Sequence, residues 1–403
     1  MNPSVRRAWW RLTFFAVVML VVEFMDEFAY SSLEAARPLI RDAFALSYVQ
    51  VGLITTLPVL VAILVEPFIG LFADTGKRRL LIVGGGVAFG AGLVVQGLSP
   101  NFAVFLLGAT LQAPASGVFV NLAQASLMDE APTRRENRMA WWTLSGSLAV
   151  VVGPLTLTAM LALGSGWRAL FIATGVLSVL AALWITWLPD NRAMRTSGDE
   201  AEAFSLRQSV REAGVLLRRG DVWRWLVLLQ FSDLMLDMLF GLLALYMVDV
   251  VGVSQGQVGF AIATWTGVGL LGDFLLIPLL ERVRGLVYLR FSAVMELLLY
   301  PAFLLVDTWW AKLVLLGLIG LFNAGWYAIL QGKLYDALGE QSGAVLIVGN
   351  AAGVFGALLP LALGVVAQVY GLEVALWLLL AGPVALLIGL HRNLDDAESP
   401  LKT

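Results

Sequence analysis

Polar residues recur along this chain at one fixed distance. Ser47, Gln50, Val51 and Gly52 return 207 residues later as Ser254, Gln257, Val258 and Gly259. With no gap, Glu66 meets Asp273, Asp74 meets Glu281, Lys77 meets Arg284, Gln124 meets Gln331 and Asp129 meets Asp336. The matched positions are polar within mostly apolar sequence, so shared hydrophobic composition does not account for the register. Such a register belongs to a duplicated unit, and whatever one half folds into the other must fold into as well.

Hydrophobic residues make up 59% of the chain and charged residues 14%, which would leave a soluble domain of this size with far too much apolar surface. The chain therefore reads as an integral membrane protein. Apolar stretches long enough to cross about 30 Å of hydrocarbon as helices fall at 12–36, 47–72, 80–98, 101–128, 138–163, 167–188, 223–248, 256–281, 286–306, 309–335, 342–369 and 372–391. The expected fold is all-α: twelve transmembrane helices in two pseudo-symmetric six-helix bundles, 1–189 and 223–403, joined by a linker at 190–222.

Lysine and arginine orient the bundle, because cytoplasmic loops retain positive charge. With the N-terminus inside, 22 of the 26 basic residues lie on the cytoplasmic side, and only Arg37, Arg41, Arg168 and Lys312 lie outside. Both termini are thus expected in the cytoplasm. Trp9–Trp10, Trp141–Trp142 and Trp309–Trp310 read as interfacial anchors. The first span is too long and too acidic for a cleaved signal and is expected to stay in the mature protein. Within the linker, Phe204, Leu206, Val210 and Val215 alternate with charges, as in an amphipathic helix on the inner leaflet or in a plain tether. The chain has no cysteine, which excludes disulfides and thiolate chemistry, and its single histidine, His391, argues against imidazole catalysis or a metal site.

Between the second and third spans runs GLFADTGKRR, with Gly70, Asp74, Gly76, Lys77, Arg78 and Arg79. The run resembles the loop that marks the major facilitator superfamily, and it stands in the matching place, after the second span of a six-helix half. Its counterpart keeps Glu281 and Arg284 and loses the glycines. Gly70 would let two helices approach closely, and Asp74 would accept bonds from arginines or a helix N-terminus. The resemblance implies an inner gate of Gly70, Asp74, Gly76, Lys77, Arg78, Glu281 and Arg284 that governs alternating access. Asp26 and the run ALSYVQVGL from Ala45 are similar to drug:proton antiporters of the fosmidomycin-resistance type. Two antiporter markers differ: Ala109 stands where those exporters carry an arginine, and the fifth span keeps Gly146, Gly153 and Pro154 without the motif's other glycines.

A carboxylate at the bilayer centre is costly, so an acid found there marks a functional site by default. In the first span Glu23, Glu27, Tyr30 and Glu34 share one helix face, with Asp26 about 60° to the side. In the seventh, Gln230, Asp233 and Asp237 form a similar stripe, and Asp233 repeats Asp26 at the same offset. In the family these two spans line a central cavity, so the stripes are expected to face each other there. Crowded acids favour sharing a proton and also attract a cation, and that competition suffices to drive exchange. Glu34, three residues from Arg37, is expected to pair with it. Glu66 and Asp273 repeat each other just ahead of their loops and read as part of the inner gate. Gln112, Asn121, Gln124, Asn323, Tyr327, Gln331, Tyr335 and Asn350 either orient a ligand or join helices. Trp326 beside Tyr327, together with Trp265, would offer a cation an aromatic wall or, as is more frequent for tryptophan, pack in the bundle or face lipid. Glu296 lies in the ninth span, which is usually peripheral in the family, and reads either as an inward-facing structural acid or as a protonated one.

These features point to proton-coupled efflux of a small cationic or amphipathic compound. The substrate and proton contacts are Glu23, Asp26, Glu27, Tyr30, Gln112, Asp233, Asp237 and Tyr327. Proton-coupled uptake of a metabolite uses the same acids, and a lipid or lysolipid translocase is a further alternative that the acid stripe disfavours. An enzyme is not expected, for no nucleophile–base pair or nucleotide-binding loop is present; Gly84–Gly86 is better explained by helix packing. No cofactor, metal or nucleic acid is expected. The partners are the small-molecule substrate, protons and the lipid bilayer. The resemblance implies a monomer in a bacterial cytoplasmic (inner) membrane.

Overall fold

The computed structural model describes residues 12–73, 78–131, 134–188, 219–338 and 342–390. The helices are α1 (Phe14–Phe44), α2 (Tyr48–Ala73), α3 (Arg78–Leu98), α4 (Phe102–Glu130), α5 (Arg135–Ala162) and α6 (Trp167–Ile185). After the linker come α7a (Gly220–Ser232), a π-helical turn (Leu234–Met238) and α7b (Leu239–Asp249), then α8 (Gln255–Leu280) and α9 (Gly285–Leu305). The tenth span divides into α10a (Trp309–Asn323) and α10b (Trp326–Leu338); α11 (Ser342–Tyr370), α12a (Leu372–Leu378) and α12b (Ala381–Leu390) complete the chain. Among the described residues eleven helices are long and apolar enough to cross a membrane. The twelfth, α1, has the length but carries Glu23, Asp26, Glu27, Glu34, Arg37 and Arg41.

The 207-residue register reappears in the helix bounds. Adding it to Tyr48–Ala73 gives 255–280, the bounds of α8, and adding it to Arg78–Leu98 gives 285–305, the bounds of α9. The halves differ in continuity: α1, α4 and α6 run unbroken, whereas the seventh, tenth and twelfth helices are each interrupted. In the tenth the cause is local. Gly325 has φ +73, which an L side chain adopts only with strain, and a Cβ there would lie on Leu276 Cδ2. The residue 207 places earlier is Val118, a β-branched residue that stays helical, and α4 is continuous.

Two boundaries depart from the sequence reading, and three spans are divided. α1 extends past 36 to Phe44, because Glu34 and Arg37 bond each other across one turn, and it ends at Ala45 with φ 50. α7a begins at Gly220, inside the stretch read as linker, with Asp221 placed favourably in its first turn. The single spans read at 223–248, 309–335 and 372–391 are each broken in two.

By packing, the chain falls into two units. One comprises the chain up to Leu33 and from Leu57 into the linker; the other comprises Glu34–Thr56 and the chain beyond the linker. In the first, α3 packs against α4 and α6 around Phe89, Phe119, Ala182 and Ile185, all fully buried. Gly86 makes this possible, since a Cβ there would approach Ala182 Cβ and the Phe119 ring within 2.6 Å; packing, as expected, accounts for it. In the second, α8 packs on α10a, and α9 on α10a and α12b.

Candidate functional site

The first unit places the α1 acids against α4 and α5. Ser116 of α4 donates to Asp26 Oδ1 at 2.6 Å. Glu23 is 8% exposed, and its Oε1 would lie 2.7 Å from a Cβ at Gly146 of α5, with Glu27 Cγ 3.3 Å away. Two helix turns on, Gly153 leaves room for Ser31 and Ser32, and Ser31 donates to the Ala149 carbonyl at 3.3 Å. The glycines of the fifth span thus accommodate the polar face of α1. Glu27 and Tyr30 are half-buried on the same stretch of α1. Gln112 accepts from Gln96 Nε2 at 2.6 Å and so ties α4 to α3.

The second unit carries the α7 acids. Asp233 ends α7a, and its carbonyl accepts from Met238 N–H at 3.0 Å, closing the wide π turn. That turn brings Asp237 closer to the line of Asp233 than an α-helical turn would. Asp237 is exposed, and Asp233 is half-buried. Asn323 Nδ2, at the end of α10a, donates to the Met235 carbonyl at 3.0 Å, so the interruption of the seventh helix is joined to that of the tenth. Gln230, one turn before Asp233, faces Gly356 of α11.

A second cluster in this unit involves residues that sequence reasoning did not single out. Arg37 donates to Glu34 and to Thr55 Oγ1, each at 2.6 Å, beside Gly241 of α7b. Asp237, one turn before Gly241, lies within electrostatic reach of Glu34. Two turns further along α1, Arg41 pairs with Asp249, which also accepts from the Tyr48 hydroxyl at 2.7 Å. Tyr48 N–H donates to Gln368 of α11 at 3.0 Å, and Gly52 and Gly364 allow backbone approach between α2 and α11. The expected Glu34–Arg37 pair is present; Tyr48, Asp249 and Gln368 gave no signal in sequence, because each acquires meaning only from its partner.

At the opposite ends of these helices, Asp74, Gly76 and Lys77 lie outside the described residues, as do His391 and the amphipathic stretch of the linker; Gly70 lies within α2. Arg78 donates to Asp129 at 2.6 Å, Arg135 stands 3.7 Å from the same carboxylate, and Arg138 pairs with Glu130 at 3.2 Å. Arg79 instead caps the carbonyls of Ile185, Thr186 and Leu188. Glu66 and Asp273, expected at an inner gate, both meet a glycine of the neighbouring span. Glu66 Oε1 fills the space beside Gly117, and Asp273 accepts from Gly325 N–H at the start of α10b. Glu281 and Arg284, at the end of α8 and just before α9, are exposed.

Of the two readings of the tryptophans, the structure has the packed one. Trp326 is fully buried and donates to Ser292 Oγ at 2.8 Å, and Trp265 is 6% exposed with its edge on Phe240. Tyr327 is 56% exposed. A helix period groups such residues on a face but does not say which neighbour that face meets.

A family model described as Major Facilitator Superfamily matches residues 19–357. A transcription regulatory protein, OpdE, of Pseudomonas aeruginosa is 25% identical over 292 residues, 71% of this chain and 70% of its own length. A chloramphenicol resistance protein of Pseudomonas aeruginosa is 30% identical over 198 residues, 47% of this chain and 46% of its own. The crystal structure of the nucleoside transporter NupG superposes with a TM-score of 0.74 at 12% identity, covering 94% of this chain and 99% of that one.

Proposed function

The chain belongs to the Major Facilitator Superfamily, and from that premise we propose that it is a proton-coupled exporter of a small cationic or amphipathic compound. The observation that carries the reading is the Asp26 carboxylate, placed mid-helix in α1 with a serine as its hydrogen-bond donor and Glu23 buried one turn away. A membrane-spanning helix that keeps such acids needs a use for them. Resistance to chloramphenicol in the name of one relative favours export.

In this reading protons and substrate compete for Glu23, Asp26, Glu27 and Tyr30 on the first helix and for Asp233 and Asp237 on the seventh. Gln112 and Tyr327 are the weaker members: one is engaged by Gln96, and the other is 56% exposed. The two halves, 1–189 and 223–403, are joined by the linker 190–222, and the chain lies in the cytoplasmic membrane of a bacterium with both termini inside. The cluster of Arg41, Tyr48, Asp249 and Gln368 then lies at the outer face and acts as the outer gate. The inner gate consists of Gly70, Asp74, Gly76, Lys77 and Arg78 with Glu66, Asp273, Glu281 and Arg284.

The test is growth of an efflux-deficient bacterium expressing the wild type or an Asp26→Asn/Glu27→Gln double mutant on toxic cationic, neutral and anionic compounds. Resistance to cations that the double mutant loses is the expected result. No resistance from well-expressed wild type counts against drug export and leaves proton-coupled uptake of a metabolite or a lipid or lysolipid translocase.

A further inference from the structure

The ninth helix holds an acid that this mechanism does not use. Glu296, in the middle of α9, is 0% exposed, and neither carboxyl oxygen has a hydrogen-bond partner among the described residues. Its surroundings are polar. Tyr288 and Ser292 stand two turns and one turn before it on α9, and Tyr300 one turn after.

Each of these hydroxyls spends its proton elsewhere. Tyr288 donates to the Ala324 carbonyl at 3.1 Å, Ser292 to Leu289 at 3.0 Å and Tyr300 to Leu376 at 3.0 Å. The Trp326 indole N–H is taken by Ser292. Several ionisable groups of the packed helices are engaged elsewhere as well. Lys312, the only one on α10a, donates to the Tyr246 hydroxyl and the Phe303 carbonyl, both at 2.8 Å. On α10b, Lys333 pairs with Asp336 at 3.2 Å and Tyr327 is exposed, Tyr335 being the fourth ionisable side chain there; α12b has none. Asp273 of α8 is held by Gly325 N–H. Arg290 of α9 also has a buried Nη2 without a partner, but it stands six residues before Glu296, about 120° around the helix, and forms no ion pair with it among the described residues; the other named neighbours offer no spare donor. A buried carboxylate needs donors and finds none among the described residues, so the uncharged carboxylic acid is the less costly form here.

The position also matters. Tyr288 and Trp326 brace the two sides of the Ala324–Gly325 interruption, and Tyr288 lies within electrostatic reach of both Asp273 and Glu296. Tyr300 stands in the same relation to Glu296 and Tyr246.

We propose that Glu296 is a proton-binding site inside the C-terminal helices, taking up and releasing its proton as the interruption of the tenth helix rearranges. The acids of the first and seventh helices then need not carry every coupled proton. The inference rests on the proton-coupled reading for its purpose, but not for the chemistry of the site.

Infrared difference spectroscopy on the purified full-length protein tests it. The expected result is a protonated-carboxyl band that is sensitive to deuterium, reversibly changed by pH, and missing in Glu296→Gln. A wild type without such a band, or with one that stays constant across pH, overturns the proposal. If Glu296→Gln does not fold, Glu296→Asp replaces it, and the band must shift. In vesicles, with the compound selected by the growth panel, Glu296→Gln should lose transport driven by a pH gradient and keep exchange at equal pH; unchanged gradient-driven transport overturns the coupling role. A titrating Glu296 band in a wild type whose transport ignores the pH gradient would instead count against the proton-coupled reading alone.

Discussion

Asp26 has Ser116 as its hydrogen-bond donor, and Glu23 lies three residues before it against Gly146. The acids themselves were legible, since a period of 3.6 residues assigns Glu23, Glu27 and Tyr30 to one face of α1 before any neighbour is known. Their partners were not, because Ser116 and Gly146 are about 90 and 120 residues away and carry no mark of the contact. Gly146 gives a sharp test at this scale. A methyl group at 2.7 Å from Glu23 Oε1 forces the carboxyl aside, so Gly146→Ala should cost about 1–3 kcal/mol through overpacking. Thermal unfolding in detergent measures the loss, and the shorter Glu23→Asp in the same protein should recover part of it. A Gly146→Ala protein as stable and active as wild type would show that the glycine is not there for Glu23.

The helices show where local reading ends. Among the described residues eleven have the length and apolarity of a span, and α1 reads as a helix in spite of its charges because apolar residues still fill its other faces. The breaks in the seventh and tenth helices were not foreseen. Gly325 looks like any packing glycine in a sequence; only with Leu276 against it, Tyr288 on the Ala324 carbonyl and Asp273 on its own N–H does the turn become the stable choice. The cluster of Arg41, Tyr48 and Asp249 allows a prediction at this scale. In the proposed outer gate Asp249→Asn removes the charge that Arg41 pairs with, and the ends of α1 and α2 should separate from α7b more often. Native cysteines are absent, so a single Val51→Cys, at a position 2% exposed, reports this directly. Maleimide labelling should be faster when Asp249→Asn is added, and an equal rate would mean that the ion pair does not hold the gate.

For the whole molecule the duplication is the governing fact, and it survives from polar residues in sequence to helix bounds that coincide at an offset of 207. The proposed inner gate belongs to this scale, because it acts on the cycle and not on the ligand. Asp74→Asn should slow transport of every substrate alike, and a changed resistance profile across the compound panel would contradict that role. The sequence by itself determined the membrane class, twelve helices, their repeat and the polar faces of α1 and α7, since hydrophobic length and helical period are properties of a continuous stretch of chain. Tertiary structure alone decided that Glu34–Thr56 packs with the C-terminal helices, that Trp326 turns inward to Ser292, and that Glu296 is left without a donor. These outcomes depend on which distant side chains compete for the same hydrogen bond or the same space, and chain order does not record that competition.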